Sequence, residues 1–331
     1  MTSGERLRRF ADAALEMSVV GSFSRVGFAA RRVLFDWDAQ PTADMTGEVV
    51  VITGATGGIG FAAARAFAAR NAEVWLVGRD PARTEKSRRR LLAVLPDAHV
   101  AMGLADLTRL DDVRALADRV LRDAPRLDVL VHNAGALTHE LVRTQDGLEL
   151  TAQVHVVAPF LLTAALLPLL TATPGARVIT VSSGGMYTHA LNLDELDEPK
   201  APFDGVDVYA NAKRAQVVLN QRWAHQAEAH GVTFHAMHPG WADTPGVQTA
   251  LPRFRAVMRP LLRSPEQGAD TIVWLASDPA PLAVNGAFWL DRARRLTNPL
   301  PWTRTSPQAA RELWDWCASR ARVDADVGNA P

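Results

Sequence analysis

From residue 48 onward, short apolar runs alternate with longer stretches in which apolar residues recur at helical spacing. The short runs predict strands at residues 49–53, 73–77, 99–103, 127–132, 177–181, 232–238 and 287–290. Between them, helical spacing predicts helices at residues 58–70, 81–95, 109–123, 151–171, 207–230 and 266–277. Parallel strands need crossover connections of this length, and such connections are right-handed. The pattern therefore predicts an α/β fold with a doubly wound parallel sheet and helices on both faces.

The pattern changes on both sides of this main domain, which we place at residues 46–300. Residues 1–45 combine arginines and acids with apolar positions at helical spacing, and predict a helical N-terminal extension of one or two amphipathic helices. These helices could lie at a membrane surface, but we favour packing on the domain. Prolines punctuate residues 241–264, which predicts a lid of short helices over a pocket. Residues 301–331 predict a C-terminal helix and tail.

Composition argues against several classes of function. The 36 basic residues balance the 36 acidic ones, so we expect no nucleic-acid partner. Cys317 is the single cysteine, which excludes an internal disulfide and a thiolate metal cluster. Because no secretory signal is visible either, we expect a cytoplasmic protein. Residues 150–176 contain no acid, lysine or arginine, yet their prolines and polar side chains predict a buried helix rather than a membrane span.

Four histidines near one another in the sequence are candidate ligands of a metal ion. They are His225, His230, His235 and His238. Their spacing runs from a predicted helix into a predicted strand, so they cannot share one face, and no cysteine or acid completes a zinc set. We therefore predict no metal site.

A glycine-rich turn follows the first predicted strand and opens the next helix. Gly54, Gly58 and Gly60 would let the backbone turn tightly, approach a pyrophosphate and pack closely on the sheet. The amino terminus of the helix would offer N–H donors and a positive dipole to phosphate groups. Because the turn lies in the required strand–turn–helix context, we predict that it binds a dinucleotide.

The end of the second predicted strand indicates which dinucleotide is bound. An acid about twenty residues beyond the turn would hold a ribose 2′-hydroxyl, whereas an arginine would hold a 2′-phosphate. Arg79 occupies this place, and a guanidinium matches phosphate geometry. Asp80 follows directly, and Arg79 could also be a solvated surface residue, so NAD stays open. We predict NADP as the cofactor, ahead of NAD.

Tyr209 and Lys213 lie four residues apart, on one face of a predicted helix. The chain has only two tyrosines and three lysines, so this spacing is well above chance. A phenol is a poor proton donor or acceptor at neutral pH, and a lysine one turn away would lower its pKa towards the working range. The alternative is a surface tyrosine beside a lysine. We predict that this pair transfers a proton.

These features occur together with several ordered motifs. They are Thr53-Gly54-Ala55-Thr56-Gly57-Gly58-Ile59-Gly60, Asp106-Leu107, Asn133-Ala134-Gly135, Val181-Ser182-Ser183, Tyr209 with Lys213, and Pro239-Gly240. Over about residues 47–291 the chain thus resembles the short-chain dehydrogenase/reductase superfamily. The segments at 181–186 and 238–247 resemble, more narrowly, the branch called dehydrogenase/reductase family member 12. The resemblance implies a Rossmann-like fold and hydride transfer between a nicotinamide and a carbonyl or alcohol.

The resemblance also implies roles for the catalytic positions. Tyr209 would be the general acid in reduction and the general base in oxidation. Ser183, rather than Ser182, would hydrogen-bond the substrate oxygen. Lys213 would lower the pKa of the tyrosine and hold the nicotinamide ribose. Donors aimed at the oxygen would stabilise the charge that develops on it.

Around the cofactor, the resemblance implies that Asp106 contacts adenine, Asn133 supports cofactor and sheet, and Thr244 contacts the carboxamide. The full set of cofactor-binding residues that we predict is Thr53, Gly54, Thr56, Gly57, Gly58, Ile59, Gly60, Arg79, Asp106, Leu107, Asn133, Ala134, Gly135, Tyr209, Lys213, Pro239, Gly240 and Thr244.

His155 stands where the superfamily usually has an asparagine associated with a proton-relaying water. A neutral histidine can also donate and accept one hydrogen bond, so we expect a modified relay with His155 as a fourth catalytic residue. A charged histidine beside Lys213 would be repelled, so its pKa should fall. The alternative is a buried, hydrogen-bonded side chain without this role.

Met186, Tyr187 and Trp241 flank the catalytic positions, where they could line an apolar substrate pocket or be ordinary packing. We expect a fairly apolar small-molecule substrate. Two other functions stay open: a non-catalytic NADP(H)-binding sensor or interaction module, and a peripheral membrane reductase of lipid-like carbonyls. Helices 151–171 and 207–230 could pair subunits into a homodimer or homotetramer, unless the terminal extensions block them.

Overall fold

A single sheet of eight strands organises the computed structural model, which describes residues 3–40, 42–227, 230–244, 248 and 252–324. The strands are β1 (Val49–Thr53), β2 (Glu73–Gly78), β3 (Val100–Leu104), β4 (Val129–His132), β5 (Arg177–Val181), β6 (Thr233–Met237), β7 (Ala287–Leu290) and β8 (Ala293–Arg294). Their order is β3-β2-β1-β4-β5-β6-β7-β8, and all neighbours are parallel except β7 and β8. The predicted Rossmann-like, doubly wound topology is confirmed, and the strand order reverses direction between β1 and β4.

Helices cover both faces of this sheet. The described α-helices are α1 (Ser3–Met17), α2 (Val19–Phe23), α3 (Arg25–Leu34), α4 (Gly58–Ala68), α5 (Pro81–Leu92), α6 (Leu110–Asp123), α7 (Leu150–Ala152), α8 (Ala158–Thr171), α9 (Leu193–Asp197), α10 (Gly205–Gln226), α11 (Pro252–Met258), α12 (Pro265–Ser277) and α13 (Pro307–Ala321). Val49 and Val51 face the core under α6, α8 and α10, whereas Val50 and Ile52 face the core under α4 and α12. Burial on both faces explains why β1 reads as a continuous apolar run.

The long apolar helix predicted at 151–171 is interrupted. Between α7 and α8 the backbone forms a π-helical turn at Gln153–Val157, which contains the unusual His155. Among the described residues, Leu150–Thr171 is the one segment long and apolar enough to cross a membrane, and 72% of its apolar span is buried inside the fold. It is a core helix that packs against the sheet, as its prolines and polar residues predicted.

A tight hairpin that the apolar pattern did not predict closes the sheet. Asp291 and Arg292 connect β7 to the two-residue strand β8, and both have positive φ values of 53° and 56°. Positive φ at both central positions is the geometry of a type I′ turn, whose twist matches an antiparallel hairpin. The turn places the Asp291 side chain in the interior, where it is buried.

The N-terminal extension packs on the main domain, as favoured from the sequence, but with three helices rather than one or two. Arg31 of α3 is buried and donates to Asp12 of α1 at 2.7 Å and to Asp291 at 2.7 Å. Asp291 also accepts two hydrogen bonds from the buried Arg263, at 2.6 and 2.8 Å. Arg263 in turn donates to the carbonyl of Ser22 at 2.8 Å. This ion network joins the extension to the loops that follow β6 and β7.

The C-terminal helix α13 covers the surface of α8 and α10. Trp314 packs against Phe160 and Trp223, with ring centroids 4.9 and 4.6 Å apart. These are the helices through which we expected subunits to pair. The chain itself therefore occupies part of that face, and the tail at residues 325–331 lies outside the described residues.

Candidate active site

Residues of the predicted site follow the carboxyl ends of six parallel strands, so the topology gathers them at one edge of the sheet. The glycine turn after β1 is closely packed. A Cβ atom at Gly54, where φ is +67°, would lie 2.8 Å from the Cα of Ala134. A Cβ atom at Gly60 would lie 2.3 Å from the Nδ2 of Asn133 and 2.5 Å from the carbonyl oxygen of Gly54. Only glycine fits at these two positions.

The same turn leaves the amino terminus of α4 open. Gly57 is the N-cap residue and offers no side chain to the first N–H groups of the helix. Unsatisfied N–H groups at the positive end of a helix dipole, next to a turn without side chains, form a cradle for a phosphate group. Thr56 and Ile59 belong to this turn. The residues present therefore fit the pyrophosphate of a dinucleotide.

Asn133 and Thr53 fasten the ends of β1 and β4 together. The Thr53 hydroxyl accepts hydrogen bonds from the N–H groups of Asn133 and Ala134 at 3.0 and 3.1 Å. The Asn133 side chain donates to the carbonyl of Thr53 at 2.9 Å. After β3, the Asp106 carboxylate accepts from the Thr108 N–H at 3.0 Å and hydroxyl at 2.8 Å. These bonds fix the backbone on either side of the glycine turn.

Two arginines lie near the end of β2, where the sequence predicts contact with the adenosine ribose of a dinucleotide. Arg79 is exposed at the end of β2, and its guanidinium makes no hydrogen bond or ion pair with any described residue. Asp80 is engaged as the N-cap of α5, where its carboxylate accepts from the Arg83 N–H at 2.7 Å. The Arg83 Nη2 lies 3.5 Å from where a Cβ of Gly57 would be. Sequence reasoning did not predict a role for Arg83. The pattern that could have identified it is an arginine on the first turn of the helix after β2.

The two serines after β5 make different contacts. Ser182 is buried, and its hydroxyl donates to the Lys213 carbonyl at 2.9 Å, so it joins β5 to α10. Ser183 caps the short 3₁₀ turn Gly184–Tyr187 and hydrogen-bonds the Tyr209 hydroxyl. The Lys213 ammonium nitrogen donates to the Val181 carbonyl at 2.8 Å and lies 5.5 Å from the centroid of the Tyr209 ring. The structure thus brings Ser183, Tyr209 and Lys213 together.

Burial determines the protonation of this group. Burial lowers the pKa of Lys213 to about 7. Burial also raises the pKa of Tyr209, and the hydrogen bond from Ser183 offsets only part of that rise. Burial and the Ser183 hydrogen bond are the influences on the pKa of Tyr209, and burial is the larger, so the expected lowering by Lys213 is not seen in this structure.

His155 joins this group from the π-helical turn. Its ring meets the Tyr209 ring edge to face, with centroids 5.3 Å apart. Its Nε2 lies 2.8 Å from the Ala136 carbonyl oxygen and 3.0 Å from the Ala136 amide nitrogen, so it donates to the first or accepts from the second according to its tautomer, and a Cβ at Gly135 would lie 2.7 Å from its Cε1. Burial, followed by the charge of Lys213, lowers the pKa of His155 well below its ordinary value. His155 is thus a neutral side chain that fixes the loop after β4 and contacts the tyrosine.

Aromatic rings form the opposite wall. Tyr187 and Trp241 both contact Phe23 of α2, with ring centroids 6.2 and 5.8 Å apart. A Cβ at Gly184, the residue after Ser183, would lie 2.5 Å from the Phe23 ring. Sequence reasoning missed Phe23, which lies about 160 residues away from Ser183 in the chain. Met186 does not join this wall; it is fully buried in a core cluster with Phe288, so the packing alternative holds for it.

The loop after β6 completes this side of the site. Gly240 has a φ of +69°, and a Cβ there would lie 2.5 Å from the Nε of Arg263. The Trp241 N–H donates to the Phe23 carbonyl at 2.8 Å. In the predicted lid, α11 and a 3₁₀ turn at Arg259–Leu261 are short helices, and Asp243 pairs with Arg255 at 2.8 Å. Thr244 follows Asp243, and the motif residues Pro245, Gly246 and Val247 lie outside the described residues.

Within the part of the chain that the structure describes, no group of three or more His, Cys, Asp or Glu side chains is placed to hold a metal ion. The four histidines do not converge. His235 lies 3.3 Å from the Trp289 indole nitrogen, whereas His238 packs against Phe23 with ring centroids 4.6 Å apart.

Comparison with known proteins agrees with this geometry. The family model of the short chain dehydrogenases matches residues 48–253. The chain is 40% identical over 267 residues to the dehydrogenase/reductase SDR family member 12 of Bos taurus, covering 80% of this chain and 83% of that protein. It is 35% identical over 290 residues to DnrU of Streptomyces sp. strain C5, named as a candidate daunorubicin C-13 ketoreductase, covering 86% and 95% of the two chains.

Among solved structures, an uncharacterised protein from Mycobacterium paratuberculosis superimposes with a TM-score of 0.68 at 25% identity, covering 85% of this chain and 96% of that one. The matched family model covers most of the chain, from the glycine turn through the tyrosine and lysine to the loop after β6. The chain therefore belongs to the short-chain dehydrogenase/reductase superfamily of oxidoreductases, in the branch of the dehydrogenase/reductase SDR family member 12 proteins.

Proposed function

We propose that the protein is an NADP(H)-dependent oxidoreductase that transfers a hydride between the nicotinamide and a carbonyl or alcohol group of a fairly apolar small molecule. The observation that carries the proposal is the meeting of Ser183, Tyr209 and Lys213 at the carboxyl edge of the sheet, beside a glycine turn that fits a dinucleotide. Family membership supports the oxidoreductase class. The proposal adds the cofactor, the reacting group and the substrate class.

The side chains of the site act on the oxygen of the substrate. When bound, the nicotinamide dinucleotide supplies or accepts the hydride. Reduction of a carbonyl builds negative charge on its oxygen, to which Ser183 donates a hydrogen bond and Tyr209 a proton from its hydroxyl. Oxidation of an alcohol reverses this proton transfer. Because the pKa of Lys213 is about 7, that ammonium can pass a proton towards Tyr209 at neutral pH.

Three observations favour NADP over NAD. The Asp80 carboxylate caps α5 by accepting from the Arg83 N–H at 2.7 Å, which holds one of its oxygens at the start of that helix. Arg79 and Arg83 have guanidinium groups without partners among the described residues, and Arg83 lies beside the glycine turn. A 2′-phosphate would provide the acceptor oxygens that these two side chains lack, through charge-assisted hydrogen bonds.

The substrate class follows from the wall beside Ser183. Phe23, Tyr187 and Trp241 present aromatic rings there. An aromatic wall beside the predicted oxygen-binding serine suits a substrate that is mostly apolar. The relative DnrU, whose name describes a daunorubicin C-13 ketoreductase, supports a carbonyl as the reacting group.

The cofactor is tested by measuring Kd for NADPH and NADH on the wild type and on three alanine variants. We expect NADPH to bind more tightly than NADH. Arg79→Ala and Arg83→Ala should each weaken NADPH by about 10- to 100-fold and leave NADH unchanged, because a hydrogen bond to a charged group contributes about 1.5–3 kcal/mol. Arg89→Ala is the matched control on the same helix, since Arg89 is exposed and pairs with Glu85. Equal binding of both dinucleotides by the wild type contradicts the NADP assignment.

Catalysis is tested by NADPH oxidation with a panel of apolar ketones and aldehydes. Tyr209→Phe should lower kcat/KM by at least about 100-fold while NADPH still binds, because it removes the acid and little else. Ser182→Ala is the control within the serine pair, and it should keep activity if it still folds. Tight NADPH binding without turnover of any carbonyl or alcohol would favour the non-catalytic sensor instead.

A further inference from the structure

Helix α1 lies on the domain with its acidic residues Asp12 and Glu16 facing inward. The Asp12 carboxylate is held by Arg31 at 2.7 Å and by Arg295 at 2.8 Å. The Glu16 carboxylate accepts from Arg31 at 2.8 Å and from the Ser22 hydroxyl at 2.9 Å. Rotating α1 about its axis would remove these carboxylates from buried arginines, which is costly because a buried charge would lose its partner. The orientation of the helix is therefore fixed by ion pairs.

This orientation turns the apolar side of α1 to the solvent. Leu7, Phe10 and Met17 are 68%, 73% and 89% exposed. Their spacing of three and then seven residues places them on one side of the helix, together with the exposed Ala14. An ordinary surface helix does the opposite and buries its apolar stripe against the core.

Helix α3 repeats the arrangement. Its buried side carries Phe28 and Arg31, whereas Val26 and Val33, seven residues apart, are 55% and 83% exposed on the opposite side. We call the exposed apolar side of α1, made by Leu7, Phe10 and Met17, the outer face of the extension. With Val19 and Val20 of α2, the extension holds seven of the seventeen exposed large hydrophobic side chains among the described residues. Such a concentration marks an interaction surface rather than scattered exposure.

Basic residues outnumber acidic ones among the exposed charges of α1 and α3, and one of these arginines, Arg32, pairs with the exposed Asp38. On α1 and α3 the exposed charged residues are five arginines and one glutamate: Arg6, Arg8, Arg9, Arg25, Arg32 and Glu5. The other two acids of these helices, Asp12 and Glu16, are engaged by Arg31 and Arg295 on the inner side. The outer face is therefore apolar with a basic margin, although the whole chain has no net charge.

We propose that the outer face of the extension docks on an anionic phospholipid bilayer, with α1 lying in the plane of its surface. Helices of this kind bury apolar side chains at the boundary of headgroups and acyl chains, while their arginines bind lipid phosphates. A second copy of the chain is a poorer occupant, because a two-fold interface through the outer face would bring the basic residues beside it towards those of the other copy. This inference does not depend on the proposed hydride transfer.

The test is sedimentation of the purified full-length protein with lipid vesicles. We expect binding to vesicles of equal parts phosphatidylglycerol and phosphatidylcholine, much weaker binding to pure phosphatidylcholine, and partial release in about 0.5 M salt. A triple variant, Leu7→Gln, Phe10→Gln and Met17→Gln, should lower the partition coefficient by at least about tenfold. Because these three side chains are exposed, thermal unfolding of the variant should match that of the wild type.

The matched control carries Val94→Gln and Leu121→Gln, two exposed apolar residues elsewhere on the domain. It should bind vesicles as the wild type does. The proposal is overturned if the wild type fails to bind the anionic vesicles, or if the triple variant binds as well as the control. It is also overturned if vesicle-free wild type self-associates and the triple variant does not, since a second copy would then be the occupant.

Discussion

Asp291 is the residue through which the N-terminal extension and the catalytic domain depend on each other. Its carboxylate is shared by Arg31 at 2.7 Å and by Arg263 at 2.6 and 2.8 Å, and all three side chains are at most 1% exposed. Asp291→Asn keeps the shape of the side chain but removes its charge. Two buried guanidinium groups then lose an ionic partner.

The expected cost is large. Removing one partner of a buried ion pair destabilises a protein by about 3–5 kcal/mol. The entropy of unfolding, about 2.1 cal/mol/K per residue, amounts to about 0.7 kcal/mol/K for 331 residues. Asp291→Asn should therefore lower the Tm by about 4–7 °C. The Asp270 carboxylate pairs with Arg292 with the same bidentate chemistry at 2.6 and 2.8 Å, but both side chains are 18% exposed. Asp270→Asn should cost about 1 kcal/mol or less, because water replaces the lost partner.

The assay is thermal unfolding of cofactor-free wild type and the two variants, followed by limited proteolysis. Asp291→Asn should also release the extension to protease sooner, because Arg263 loses the ligand that positions it against the Ser22 carbonyl. Equal Tm shifts for Asp291→Asn and Asp270→Asn would refute the reasoning. So would a large Tm shift without faster cleavage of the extension, since the network would then stabilise only the domain.

Three further outcomes are expected. The Tm difference between Lys213→Met and the wild type should fall as the pH rises from 7 to 10. Burial lowers the pKa of Lys213 in the folded protein to about 7 from its ordinary value of 10.5, so between these values the unfolded state binds more protons and wild-type stability rises with pH. A difference that is constant with pH would contradict this. Phe23→Ala, checked for folding, should raise kcat/KM for bulkier ketones relative to smaller ones by about tenfold, with NADPH affinity unchanged. If this ratio does not change, Phe23 does not contact the substrate. His155→Leu should weaken NADPH binding by loosening the loop at Gly135 and Ala136, and His155→Asn should bind NADPH more tightly than His155→Leu does. If the two variants bind NADPH with equal affinity, His155 does not position this loop.

The sheet was predictable because its signal is local. β1, β5 and β7 have the predicted bounds, and the others differ by one or two residues at their ends. Each strand is an apolar run buried on both faces, so its own sequence identifies it. β8 has only two residues and forms because of the turn at Asp291 and Arg292. The pattern of apolar residues does not predict this turn.

The site was partly predictable for a related reason. Asn133 follows β4 directly and Ser183 is the second residue after β5, and the topology alone brings such positions to one edge. The pKa of Tyr209 was not predictable, because its direction depends on how deeply the tyrosine and Lys213 are buried. Arg83 and Phe23 were missed because their closeness to the glycine turn and to Ser183 comes from helix packing across the chain.

The orientation of the N-terminal extension could not be predicted from its sequence pattern. Amphipathic spacing establishes that a helix has an apolar side, but not which way that side faces. In α1 the direction is decided by Asp12, through Arg31 and Arg295. Arg31 in turn is fixed by Asp291, which lies 260 residues further along the chain. Packing on the domain and exposure of an apolar face therefore do not exclude each other here. The ion network that holds the extension on the domain is also what keeps its apolar side outward, and the same segment brings Phe23 to the wall beside Ser183. A change that breaks this network should alter both surfaces together.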